Sequence, residues 1–435
     1  MNEPHAAPAR RMTLLPLVGA LYFMVSGGPY GLEDLARNVG FGASIAMVVL
    51  VPLVWSLPTA LMVGELAAAI PEDGGYYAWV RRALGPFWGY QEAWLSLAAS
   101  VFDMAIYPTL FVLYLGRIAP GLAAWPLAIG VVFIAVCAAS NLGTARSVGE
   151  QSEAMTALLL APFVVLAALA FFRHTPVPPV SAHAQSRDVA GAVLVAMWNF
   201  TGWDNASTVA GEVEKPQSTY PAAVLTAVTL VSLTYVVPLG AMWAAGVDPS
   251  DWETGSWVDI ARAYGGAPLA VAVVIGGMVS AFGMFNALCL SYSRLPVVLA
   301  KDGYLPAVFT RRLASNGTPW VAVLACAGAW TLSLGLSFER LVSLDILLYG
   351  TSLVLEFVAL LVLRIREPAL ARPFRVPGGT VGAAFLGVGP VGLLAFALAK
   401  NLHEEIFGMN ALVFGAAVIA LGFGAYAATR RFADA

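Results

Sequence analysis

The chain has 435 residues, 59% of them apolar by type and only 11% charged, with a mean hydropathy of +0.78. An average soluble domain carries roughly a quarter charged residues, so the composition excludes a disordered chain and argues against a soluble enzyme. Lys and Arg number 23 against 26 Asp and Glu, a formal charge of −3; that balance attracts no polyanion and argues against nucleic acid as a partner.

The predicted elements define an all-α integral membrane protein. A hydrocarbon core of about 30 Å takes about 20 apolar residues per helix. Twelve spans are predicted, at 13–36, 43–66, 86–115, 125–142, 154–172, 189–211, 219–244, 267–293, 319–336, 341–363, 380–399 and 409–429. Residues 1–12 precede them, without the layout of a cleaved signal peptide. The connections are short, which places function inside the bundle. Of the 23 Lys and Arg, 16 fall in connections on one side and 7 on the other. The richer side is expected to be cytoplasmic, with both termini there and the protein multi-pass in a plasma or inner membrane.

The first span contains Ser26-Gly27-Gly28-Pro29-Tyr30-Gly31 and the sixth Trp198-Asn199-Phe200-Thr201-Gly202-Trp203-Asp204. Glycine weakens a helix and proline removes a donor. Freed backbone at membrane depth persists where it is buried in protein or lines a wet cavity. The two breaks lie five spans apart, and five is odd, so the second half enters from the opposite side. Residues 13–172 and 189–363 therefore read as inverted five-helix repeats, followed by two extra helices at 380–429. Matching broken helices in inverted halves point to a transport site near the midplane; the other reading of these glycines is close helix packing.

Intramembrane acids are costly, about 2.5–3.5 kcal/mol at mid-bilayer. Asp103 lies in span 3, Asp204 follows the span 6 break, Glu33 and Asp34 follow the span 1 break, Glu356 lies in span 10, and Glu65 closes span 2. No basic residue of comparable depth is evident in the sequence. Such acids hold a cationic substrate, carry a proton, or bond to a neighbouring helix as neutral acids. Tyr30, Tyr107, Trp198 and Trp203 lie beside the breaks and Asp103, and ring faces attract ammonium groups. The three cysteines and four histidines (His5, His174, His183, His403) form no metal-ligand spacing, so no metal or cofactor is signalled.

The segment Ser26-Gly27-Gly28-Pro29-Tyr30-Gly31-Leu32-Glu33-Asp34 resembles the helix 1 signature of the polyamine:proton symporter family, within the amino acid–polyamine–organocation superfamily. Pro71-Glu72-Asp73-Gly74-Gly75-Tyr76, Leu84-Gly85-Pro86-Phe87-Trp88-Gly89, Trp203-Asp204-Asn205-Ala206-Ser207 and Lys301-Asp302-Gly303-Tyr304-Leu305-Pro306 resemble it in the same order. The resemblance implies a five-plus-five core and proton-driven uptake of an organic cation or amino acid by alternating access. Gly27 and Gly28 would offer amides to a substrate carboxylate, with the amine on Thr201 or Asp204. A diamine would instead use Glu33, Asp103 or Asp204. Trp198 stands where related carriers cover the substrate. Span 5 lacks the lysine that some proton-coupled relatives use, which leaves Asp204, Glu356 and Glu65 as proton carriers. The expected function is proton-coupled uptake of putrescine-like diamines, with an amino-acid permease as the alternative. An embedded enzyme is disfavoured, since no base stands beside a serine and no ligand cluster lies within the spans. The oligomeric state is not legible.

Overall fold

The computed structural model describes residues 11–173, 188–336, 338–400, 405–406 and 409–433. Most of the 1–12 segment and all four histidines lie outside the described residues. The described chain is overwhelmingly helical. Its departures are a two-stranded antiparallel ribbon, Glu405–Ile406 with Met409–Asn410, and a parallel bridge from Met12 to Val213.

Helix α1 (Leu14–Val25) stops at Ser26, whose backbone is extended. Gly28 (φ 76°) and Gly31 (φ 89°) then take the left-handed conformation that glycine adopts without a Cβ penalty. Helix α2 (Glu33–Val54) carries a reversal at Gly40 (φ 74°, ψ 167°), which separates the end of the first predicted span from the start of the second. Helix α3 (Ser56–Ala69), the short α4 (Tyr76–Leu84) and the long α5 (Pro86–Gly116) follow. Proline at the first position of α5 sits where its missing N–H is harmless. Helices α6 (Pro126–Ser140) and α7 (Ala145–Arg173) come next.

Helix α8 (Val189–Trp198) is N-capped by Asp188, which accepts from the Gly191 N–H at 2.9 Å. It breaks at Asn199, turns at Gly202 (φ 95°) and resumes as a 3₁₀ segment, Asn205–Glu212. Helices α9 (Pro216–Ala244) and α10 (Ser256–Tyr292) follow; α10 reverses at Gly266, where the eighth predicted span begins. The remainder is α11 (Leu295–Lys301), α12 (Trp320–Trp330), α13 (Phe338–Arg366), α14 (Gly379–Leu386), α15 (Val388–Lys400) and α16 (Ala411–Ala433).

Among the described residues eight helical stretches are long and apolar enough to cross a bilayer, and four shorter apolar ones, Leu14–Val25, Pro126–Ser140, Val189–Trp198 and Trp320–Ser333, accompany them. Helices α5 and α13 pack along each other, α10 packs on α7 and α5, and α1 lies between α7 and α9. Five tryptophans (Trp55, Trp79, Trp203, Trp257, Trp330) are fully buried in this core. Large apolar side chains such as Val132, Phe172, Val381 and Leu421 point outward, the pattern of a surface solvated by lipid.

Candidate functional site

The two broken helices touch. A Cβ placed on Gly202 would lie 2.3 Å from the Met24 carbonyl oxygen, so only glycine lets the second break lie against the end of α1. Around this contact is a narrow cleft. Helix α1 contributes Met24 and Val25, the second break Trp198, Thr201 and Gly202, and α10 Met284, Leu288 and Tyr292. Asp103 and Tyr107 from α5 and Asp345 and Tyr349 from α13 join Thr201, Asn205 and Tyr292 as its polar lining, and the two aspartates are its acids.

Asp103 is buried. Its Oδ1 accepts from the Tyr107 hydroxyl at 2.7 Å and its Oδ2 from the Tyr292 hydroxyl at 3.4 Å, with the Trp198 side chain also engaging it. The Thr201 hydroxyl donates to the Trp198 carbonyl at 2.8 Å. Tyr349 bridges the second break: its oxygen accepts from the Gly202 N–H at 3.0 Å, and its O–H donates to Asp204 Oδ1 at 2.5 Å. Glu356 lies beside Asp204, and Glu92 is near enough to both to interact electrostatically. The carboxyl oxygens of Glu92 and Glu356 have no hydrogen-bond donor among the described residues. No lysine or arginine pairs with Asp103, Asp204, Asp345, Glu92 or Glu356 among the described residues.

The structure brings Asp103, Tyr107, Trp198 and Thr201 to one cleft, with Asp204 immediately behind it. Gly27 presses against α10, where its carbonyl accepts from the Ser280 hydroxyl at 2.6 Å. The Gly28 N–H is taken by Ser26 Oγ at 3.0 Å and the Gly31 N–H by Glu33 Oε2 at 2.7 Å. Glu33 does not line the cleft; it also accepts from the Gly255 N–H at 3.0 Å, clamping the first break to the segment before α10. Tyr30 likewise points away, donating to the Val273 carbonyl at 2.6 Å and packing edge-on against Tyr114 and Phe163. Trp203 is fully buried and does not line the cleft.

Glu65 requires a correction. The expectation that it lacks a basic partner fails, because Arg364 forms a buried two-point ion pair with it. Arg372 adds a contact at 3.2 Å and the Val376 N–H one at 2.7 Å. Both arginines are distant in sequence and reach back under the helices. Asp345, which lines the cleft, and Glu92, buried near Asp204 outside it, are two further acids not singled out from the sequence. Both fall inside the predicted spans 10 and 3, so the criterion that selected Glu356 also selects them.

A family model described as amino acid permease matches residues 18–421. The chain is 36% identical to the polyamine transporter PUT1 of Oryza sativa subsp. japonica over 416 residues, covering 95% of this chain and 78% of that one. It is 33% identical to the polyamine transporter RMV1 of Arabidopsis thaliana over 426 residues, 95% of this chain and 87% of that one. The serine/threonine exchanger SteT of Bacillus subtilis (strain 168) is 23% identical over 340 residues, 74% and 75% of the two chains.

Proposed function

Because the chain belongs to the amino acid permease family of multi-pass membrane transporters, we propose that it carries a polyamine-class dication by alternating access, driven by protons. The observation that carries this reading is the cleft itself. Asp103 and Asp345 line it together with Tyr107, Tyr292 and Tyr349, and no basic residue stands among its walls. Two buried carboxylates facing one cavity without a counter-ion are complementary to a ligand with two ammonium groups. Trp198 and the tyrosines supply ring faces for its methylene chain and for cation–π contact.

An amino acid would also need donors for its carboxylate. Of the Gly27, Gly28 and Gly31 amides that would serve, those of Gly28 and Gly31 are held by Ser26 and Glu33. That favours a ligand without a carboxylate, in line with the plant polyamine transporters to which the chain is similar.

The proposed architecture has twelve spans. The first break completes span 1 across Ser26–Leu32, and the second completes span 6 across Asn199–Asp204. Residues 13–172 and 189–363 form the inverted halves, 380–429 the two additional helices, and both termini face the cytoplasm. The arginine-rich connections set that orientation. Asp204 and Glu356 carry the coupled proton. They are neighbouring carboxyls with no basic partner among the described residues, so a proton can pass from one to the other. Protonation enters from bulk water on one side and release goes to water on the other. Tilting of the half-helices about Gly202 and Met24 opens the cleft to each side alternately. Uptake of labelled putrescine by purified protein in liposomes under an inward proton gradient tests the reading.

A further inference from the structure

The four acids on α5 and α13 form two tiers. Glu92 and Asp103 are eleven residues apart on α5, and Asp345 and Glu356 are eleven apart on α13. Eleven residues make about three turns and roughly 16 Å of rise, so both members of each pair face the same way. The start of α5 and the end of α13 share one face of the bundle. Arg82, just before α5, holds Glu367 through two contacts of 3.0 and 2.6 Å, and Arg366 donates to the Ala83 carbonyl at 3.2 Å. Glu92 and Glu356 are therefore the tier nearer that arginine-rich face, with Asp103 and Asp345 about three turns deeper. Asp204 is close enough to interact electrostatically with Asp345 in one tier and with both glutamates in the other.

Among the described residues the nearer tier has no cationic partner, and the hydroxyls beside it, Tyr76 and Ser96, stand outside hydrogen-bonding geometry with its carboxyl oxygens. Glu92 and Glu356 are fully buried, their four carboxyl oxygens are unpartnered among the described residues, and so is the Tyr76 hydroxyl of α4 beside them. The groups facing Glu92 are Tyr76 from α4, Glu356 from α13, Asp204 from the second break and Ser96 one turn along α5. Among the described residues no three acids converge closely enough to ligate a metal. Each carboxylate left as an anion would be desolvated without compensation. A proton on the carboxyl removes the charge and creates the missing O–H donor at once.

We propose that Glu92 is a proton-binding residue of the transport cycle, forming with Glu356 a tier that passes protons between Asp204 and water at the arginine-rich face. The proton arrives on a Glu92 carboxylate oxygen from Asp204 or Glu356, which is left as the anion. It leaves to water as hydronium, restoring the Glu92 carboxylate. This rests on the proton-coupled reading above. It adds a residue and a direction of flow that the reading does not contain.

The test compares wild type, Glu92→Gln and Glu92→Asp in liposomes with labelled putrescine, in two assays. Counterflow at equal pH needs no net proton movement; accumulation under an inward proton gradient does. For Glu92→Gln, accumulation is expected to fall on the order of tenfold or more and its pH profile to flatten. Counterflow is expected to stay within about threefold of wild type. Glu92→Asp keeps the carboxyl and is expected to restore pH dependence in part. Gradient-driven accumulation with an unchanged pH profile in Glu92→Gln overturns the proposal. So does a parallel loss of counterflow, or identical behaviour of the two variants. Wild type that transports no putrescine in either assay defeats the substrate reading instead. Glu92 is then decided by infrared spectroscopy of the purified proteins. The proposal requires that wild type lose a protonated-carboxyl C=O component on Glu92→Gln substitution; an unchanged band overturns it.

Discussion

Tyr349 donates a 2.5 Å hydrogen bond to Asp204 while its oxygen accepts the Gly202 N–H at 3.0 Å. One side chain thus joins the wall of the cleft, a buried acid and the turn of the second break. The acid sits where its ionisation alters the donor that orients Tyr349, and Tyr349 in turn lines the cleft.

The first prediction concerns that acid. Asp204→Asn keeps the size of the side chain and removes its proton site. The expected result is a flattened pH dependence of uptake, with counterflow at equal pH changed far less. The two assays, run across a pH series, check it; a wild-type pH profile in the variant removes Asp204 from coupling.

Asp103→Asn tests the other role of an acid in the cleft. Loss of a charged hydrogen bond is worth about 1.5–3 kcal/mol, or roughly 10- to 100-fold in affinity. Affinity for diamines is expected to fall by that factor, and competition by zwitterionic amino acids to change less. Competition binding with both ligand types measures the difference, and equal losses count against an ammonium contact at Asp103.

Glu65 and Arg364 predict a stability effect rather than a coupling effect. Removing one partner of a buried ion pair typically costs about 3–5 kcal/mol, because the other charge is left uncompensated. Glu65→Gln is expected to lower the thermal midpoint in detergent markedly, with Arg364 and Arg372 stranded. Protein that survives should keep the wild-type pH profile of uptake. An unchanged midpoint would contradict the structural role.

Gly202 and Gly240 form a matched pair of tests. At Gly202 the backbone is left-handed and an added Cβ meets the Met24 carbonyl at 2.3 Å, whereas at Gly240 nothing lies within 4 Å. Gly202→Ala is expected to abolish uptake by separating the two breaks. Gly240→Ala, inside α9, is expected to stabilise slightly, by about 0.4–1 kcal/mol. Uptake and melting curves of the two variants, measured side by side, check this.

At the arginine-rich face, hydrogen bonding from Arg82 holds the Glu367 carboxyl below the usual carboxylate range. A depressed folded value stabilises the protein above the ordinary glutamate value of about 4.3 and is lost as pH falls through the folded value. The melting difference between wild type and Glu367→Gln is therefore expected to be present at neutral pH and to vanish in acid. A difference that grows on acidification would reverse the assignment.

Much of this was legible in the residues. The glycine-rich run at 26–31 and the Trp198–Asp204 segment mark both breaks because left-handed and unwound backbone leaves a compositional trace. Asp103 and Asp204 stood out because a charge in an apolar run is conspicuous at any register. Partners across the bundle left no such trace. Arg364 and Arg372 lie at the far end of the chain from Glu65, and only packing brings them beneath it. Tyr30 lies within the first break and Glu33 just after it, yet the unwound backbone turns them toward α10 and the segment before it, away from the cleft. The tiered pairing of Glu92 with Glu356 needed the antiparallel register of α5 and α13, which no local pattern encodes.

The central claim is that Asp103 and Asp345 make the cleft a site for a dication, moved by protons. Uptake of labelled putrescine and of labelled amino acids into liposomes, under an imposed inward proton gradient, tests it most directly. The expected result is gradient-dependent putrescine accumulation that amino acids compete for weakly. Amino-acid accumulation indifferent to excess diamine would contradict it.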